Sequence, residues 1–161
     1  VTHGSTFWVT LPAMSGIGAH DRPAAASAEP VTLTGVGILI VDDDTDAREL
    51  LVAMMEEYGA RVLAVDSADA ALRILDGDGN GFSPDVLVSD IGMPGTDGFA
   101  LARNLRNLPS EKMRRLPAIA VTAYANPEDR VRALVAGYQH HVPKPVDADQ
   151  LAAAIAQLLA R

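Results

Sequence analysis

From residue 36 onward the chain repeats one unit: a short apolar run of strand character, a turn, and a segment with apolar residues at helical spacing. "VGILIV" ends at Asp42. Asp44 or Thr45 can cap the helix that follows, apolar at Ala47, Leu50, Leu51, Met54 and Tyr58, and Gly59 is placed to end it. "RVLAV" is a second strand, after which Ser67 caps a helix through Leu75 that Gly77 stops. "DVLVSD" is a third, with Asp97 or Gly98 opening a helix through Leu108. "PAIAVT" is a fourth, followed by Asn126-Pro127-Glu128 as cap, first-turn proline and acidic first turn. "HHV" is a short fifth strand, and Asp147 caps a last helix apolar at Leu151, Ala154, Ile155, Leu158 and Leu159. Strands this apolar are covered on both faces, so the alternation predicts an α/β fold with a doubly wound parallel sheet. The ligand cleft of such a sheet lies at the carboxyl ends of its strands.

Those ends carry the chemistry. Asp42, Asp43 and Asp44 follow the first strand, Asp90 the third, Thr122 the fourth and Lys144 the fifth. Carboxylates converging on one crevice repel each other unless a hard divalent cation neutralises them, and oxygen ligands with room for water point to Mg²⁺. With that ion seated, an aspartate can attack phosphorus, while a hydroxyl (Thr122) and an ammonium (Lys144) hold the remaining phosphoryl oxygens.

The set "ILIVDDD", "VLVSDIGMPGTDG", "AIAVTA" and "VPKP", in this order and at strand ends, resembles the receiver domain of bacterial two-component response regulators. The resemblance covers residues 36–161. It implies a flavodoxin-like (βα)5 fold with strand order 2-1-3-4-5. It further implies that Asp90 is the phosphoacceptor, and that Asp43, Asp90 and the backbone carbonyl of Gly92 bind Mg²⁺, with Asp42 acting through a metal-bound water. Thr122 would sense the phosphoryl group, and Lys144, joined to Pro145 by a cis peptide, would pair with it. At the switch position three residues before the lysine, where chemotaxis regulators carry Tyr or Phe, stands His141. Gly92 lies two residues after Asp90, and Tyr124 two after Thr122.

The tail "AGYQHHVPKPVDADQLAAAIAQLL" is similar to receivers fused to hybrid histidine kinases. The opening "GSTFWVTLP", with alternating Phe7, Val9 and Leu11, looks like the last strand of a histidine-kinase ATP-binding domain. With Val rather than Met first, the expectation is a piece of a hybrid kinase: residues 1–12 from the kinase core, 13–35 an Ala/Pro/Gly-rich linker, 36–161 the receiver. The implied phosphodonor is a phosphohistidine domain of its own or a cognate kinase, with a histidine phosphotransfer protein as a further partner. No independent enzyme activity is expected of the chain beyond self-phosphorylation and dephosphorylation.

Composition narrows the field. A net charge of -8 offers no basic stripe for nucleic acid, and the cluster Lys112, Arg114 and Arg115 reads as a solvated loop. The absence of cysteine fits a reducing, cytoplasmic setting, and no apolar run is long enough for a membrane span. "DGDGNG" begins like a calcium-binding EF-hand loop, but the position that must supply a bidentate Glu is Leu87. His140 and His141, adjacent on a strand, point to opposite faces and do not share an ion.

Two rivals remain. A phosphatase of the haloacid-dehalogenase type also ends its first strand in Asp-x-Asp, which would make Asp42 nucleophile and Asp44 acid. That pattern wants Thr or Val where this chain has Asp46, and it leaves "SDIGMPGTDG" without a reason. A receiver-like module that is never phosphorylated would lack a key residue, whereas Asp43, Asp90, Thr122 and Lys144 are all present.

Overall fold

The computed structural model describes residues 31–78, 81–123 and 127–160. The expected strand and linker within residues 1–30, and the expected cap Asn126, lie outside them. The strands are β1 (Gly37–Val41), β2 (Arg61–Val65), β3 (Val86–Asp90), β4 (Ala118–Thr122) and β5 (His140–Pro143). Between and after them run α1 (Thr45–Glu57), α2 (Ala68–Arg73), α3 (Gly98–Arg106), α4 (Glu111–Arg114), α5 (Pro127–Ala136) and α6 (Ala148–Leu159). All strand pairs are parallel, in the order β2-β1-β3-β4-β5. This is the order the sequence resemblance implies.

Side chains alternate across the pleat, so each strand feeds two cores. Ile38, Ile40, Val86, Val88, Ile119 and Val121 face Leu51 and Met55 of α1 and Leu151 and Ile155 of α6. Leu39, Val41, Leu87, Ala118 and Ala120 face the opposite layer, where Ala71, Leu101, Leu105 and Ala133 come from α2, α3 and α5. The three central strands are buried along their whole length, which is why they read as unbroken apolar runs.

Capping residues fix the helix starts. Asp44 accepts from the Ala47 N–H at 2.9 Å, so it caps α1 and Thr45 is the first helical residue. Asp97 accepts from the Ala100 N–H at 2.7 Å and leaves Gly98 as the first residue of α3. Ser67 and Asp147 cap α2 and α6 in the same way. Helix α2 ends at Arg73 and passes into a wider turn, Ile74–Asp78, where Gly77 takes φ +123°. Helix α3 stops at Arg106, short of Leu108, because Asn107 leaves helical geometry.

Two regions differ from the sequence reading. Leu33, in the stretch read as linker, is buried against the core, and its N–H donates to the Tyr58 carbonyl at 2.8 Å. The basic cluster is not all loop. Ser110 caps the single turn α4, whose Met113 packs against the core, and Arg114 donates back to the carbonyls of Leu108 and Pro109. Among the described residues no helix is long and apolar enough to cross a membrane.

Arg106 ties the lower end of this layer together. Its guanidinium donates to the carbonyls of Arg114 (2.7 Å), Leu116 (2.8 Å) and Gly137 (3.1 Å). Gly137 must be glycine here, since it holds φ +116° and a Cβ would sit 2.9 Å from the Arg106 side chain. Arg106→Ala would strip donors from several partly buried carbonyls and is expected to lower stability by about 2 kcal/mol. A lower urea midpoint at unchanged slope would register that loss, and an unchanged midpoint would mean water replaces the guanidinium at no cost.

Candidate functional site

Strand register brings the polar ends to one rim of the sheet. Val41 pairs with Ser89, Asp90 with Val121 and Thr122 with Pro143, so Asp42, Asp90, Thr122 and Lys144 stand side by side. Asp42 is fully buried: its Oδ1 accepts the Asp44 N–H at 3.0 Å and its Oδ2 the Lys144 ammonium at 3.0 Å. Asp90 takes the same ammonium on Oδ2 at 3.1 Å and the Gly92 N–H on Oδ1 at 3.1 Å. Asp43 lies exposed at the mouth.

The Lys144 ammonium therefore bridges two carboxylates. Its burial lowers the pKa, but the hydrogen bonds it donates to Asp42 and Asp90, and their charges, outweigh that and hold it above the ordinary lysine value. The Lys144 N–H also donates to the Thr122 carbonyl at 2.8 Å, and the peptide to Pro145 is cis.

One carboxylate oxygen from each of Asp42, Asp43 and Asp90 lies within 4.8 Å of the others. A hard divalent ion accepts such a set of oxygen donors. A cleft of about 730 Å³ opens above, with Asp90, Gly92, Thr122 and Lys144 among its lining residues.

The cleft also has walls that the sequence did not announce. Met93 and Phe99 line it, and the Arg132 guanidinium lies 4.7 Å over the Phe99 ring while reaching Asp129 at 3.4 Å. Arg48 donates to the Asp42 carbonyl at 2.8 Å and braces the start of α1 against the rim. A basic residue one turn into a helix that follows an acidic strand end was the available signal for Arg48. Arg132 had none, because helical spacing alone does not say which face looks into a cleft.

His141 does not line this cleft. It is half-buried on β5 beside His140, ring centroids 6.2 Å apart and tilted by 45°; where strand alternation predicts opposite faces, both rings border one hollow with Arg130 and Gln139. Burial, then the nearby Arg130, lowers both imidazole pKa values below the ordinary histidine value.

Comparison with known proteins agrees with this geometry. A family model described as the response regulator receiver domain matches residues 38–156. An uncharacterized 14.6 kDa protein from the sodA1 3′ region of Leptolyngbya boryana is 47% identical over 116 residues, 72% of this chain and 84% of that protein. Sensor histidine kinase GacS of Pseudomonas protegens is 30% identical over 141 residues, 87% of this chain but only 15% of the kinase. The receiver domain of sensor histidine kinase PA1611 from Pseudomonas aeruginosa PAO1 was solved with a magnesium ion coordinated in its active site cleft. It matches with a TM-score of 0.70 at 29% identity, over 80% of this chain and 100% of that one. The chain belongs to the response regulator receiver domain family of two-component signalling.

Proposed function

We propose that this chain accepts a phosphoryl group from a phosphohistidine onto Asp90 and holds it as an acyl phosphate until water or a downstream histidine removes it. The observation that carries this reading is the convergence of Asp42, Asp43 and Asp90 on one rim, with the Lys144 ammonium between Asp42 and Asp90. An Asp90 carboxylate oxygen attacks phosphorus, the P–N bond to the donor imidazole breaks, and the imidazole leaves with the electron pair. The Gly92 N–H orients the attacking carboxylate through its bond to Oδ1.

Mg²⁺, held by Asp43, Asp90 and the Gly92 carbonyl, with Asp42 acting through a water, would neutralise charge on the carboxylates and the transferring group. Once the phosphoryl group is on Asp90, its negative charge competes with Asp42 for the Lys144 ammonium, while the buried Thr122 hydroxyl donates to a phosphoryl oxygen. Those two shifts would move the surface near β4 and β5, where His141 sits.

The donor is read as the phosphohistidine domain of a kinase, its own or a cognate one, with a histidine phosphotransfer protein as the outlet. Residues 1–12 as the end of a kinase core and 13–35 as a linker, whose last residues dock on the receiver through Leu33, fit a cytoplasmic hybrid kinase. GacS and PA1611 support that context, being sensor kinases to which the chain is similar.

The test is intact mass after incubation with acetyl phosphate, with and without Mg²⁺, on wild type and Asp90→Asn. A Mg²⁺-dependent gain of one phosphoryl group, absent in the variant, is expected. A gain that persists in Asp90→Asn would move the nucleophile elsewhere. Loss of phosphate-ester turnover in Asp42→Asn alone would favour the phosphatase reading.

A further inference from the structure

The loop between β3 and α3 runs from Asp90 to Gly98 and carries Gly92. A buried phenol meets it from behind. Tyr138, 2% exposed, donates its hydroxyl to the Gly98 carbonyl at 2.7 Å. Ser89, fully buried beside it in sequence to Asp90, donates to the Asp90 carbonyl at 2.9 Å. That same carbonyl lies so close to Gly98 that a Cβ there would sit 2.4 Å away, and the Gly98 N–H donates to the Ile91 carbonyl at 3.1 Å. The two ends of the loop are thus pressed together, with the phenol hydrogen-bonded to one of them.

The other end of Tyr138 is anchored in a stiff corner. Its N–H donates to the Ala133 carbonyl of α5 at 3.1 Å. Gly137 is held by Arg106, and Gln139 is bonded through backbone and side chain to Ala118 at the start of β4. Tyr138 thus joins the Asp90 loop to the turn between α5 and β5.

We propose that the Tyr138 hydroxyl is a positioning residue that couples the Asp90 loop to the corner between α5 and β5. It supplies a mechanical link at a place where His141, outside the cleft, does not touch the site. Burial pushes the phenol far above the ordinary tyrosine range, so it stays a neutral donor. The inference rests on Asp90 being the phosphoacceptor.

Its test uses beryllofluoride with Mg²⁺ as the phosphoryl mimic, fluorine NMR to measure how much is bound, and amide exchange at residues 137–143. Wild type should bind the mimic and change its exchange there. Tyr138→Phe should bind it too, with the change reduced by about fivefold or more, the size of a typical coupling between sites. A general loss of stability would raise exchange with and without the mimic and leave the difference between them. A saturated Tyr138→Phe adduct with the wild-type change would overturn the coupling. So would a saturated wild-type adduct with no change at 137–143, which leaves the phosphoacceptor reading intact. No adduct in wild type would instead overturn the phosphoacceptor reading itself, and the coupling with it. If Tyr138→Phe fails to fold, the buried Tyr138 hydroxyl proton is followed by NMR in wild type instead: a shift on adduct formation supports the coupling, and a saturated adduct that leaves the resonance unmoved overturns it.

Discussion

Lys144→Met is expected to slow phosphoryl acceptance by roughly a hundredfold and to make the protein's stability depend strongly on Mg²⁺. Both effects follow from the position of one ammonium, 3.0 Å from a fully buried Asp42 and 3.1 Å from Asp90. In the variant the two carboxylates face each other with no cation between them. Removing one partner of a buried pair costs about 3–5 kcal/mol, and the 28% exposure of the lysine side chain discounts this to about 2 kcal/mol. The deficit corresponds to a drop in Tm of about 5–10 °C.

The pH dependence has a definite sign. Because the folded protein holds the lysine above its ordinary value of 10.5, the stabilisation is complete below that pH and is lost as pH rises through the folded pKa. The gap between wild type and variant should be flat across neutral pH and close only in strong alkali. Added Mg²⁺ should raise the Tm of the variant by more than that of wild type, since the ion supplies the missing charge. Equal Mg²⁺ responses would show that the carboxylates do not share one site.

Gly98→Ala is the second large effect, and two forces oppose each other in it. Helix propensity favours alanine over glycine by up to about 1 kcal/mol. The new Cβ, however, would stand 2.4 Å from the Asp90 carbonyl oxygen and 2.7 Å from the Ile91 Cα. Both are backbone atoms next to a buried strand end, so neither can rotate aside. Overpacking of this kind costs about 3 kcal/mol, and the net effect is destabilising. Urea denaturation should show a clearly lower midpoint, and Mg²⁺ and beryllofluoride titrations should show weaker binding than in wild type. A variant as stable as wild type would mean that the loop can open without loss, which would also weaken the case for Tyr138 as a coupling residue.

The sheet was legible because its central strands are short, buried on both faces and punctuated by capping residues. Asp44, Ser67, Asp97 and Asp147 sit where the helices begin. The convergence at the candidate site was legible for the same reason: a parallel order places successive strand ends on one rim, so Asp42, Asp90, Thr122 and Lys144 meet there. What escaped were contacts decided by tertiary approach. Arg106 looks like any basic residue on α3 until Gly137, 31 positions away, brings its carbonyl within reach. Tyr138 reads as one more core aromatic until its hydroxyl is seen on Gly98. Helix α4, a single turn of four residues, is too short to show a period, and Leu33 has no strand around it to mark it as buried.

The bridge from Lys144 to Asp42 spans 102 positions of sequence, so it also orders events in time. A chain made from its amino end releases β1 and β3 before β5 exists, and the acidic rim can gather before its own cation has been synthesised. Until the last strand docks, neutralising that rim falls to ions from the surroundings. Docking of β5 is then also the step that gives that rim a cation of the chain's own.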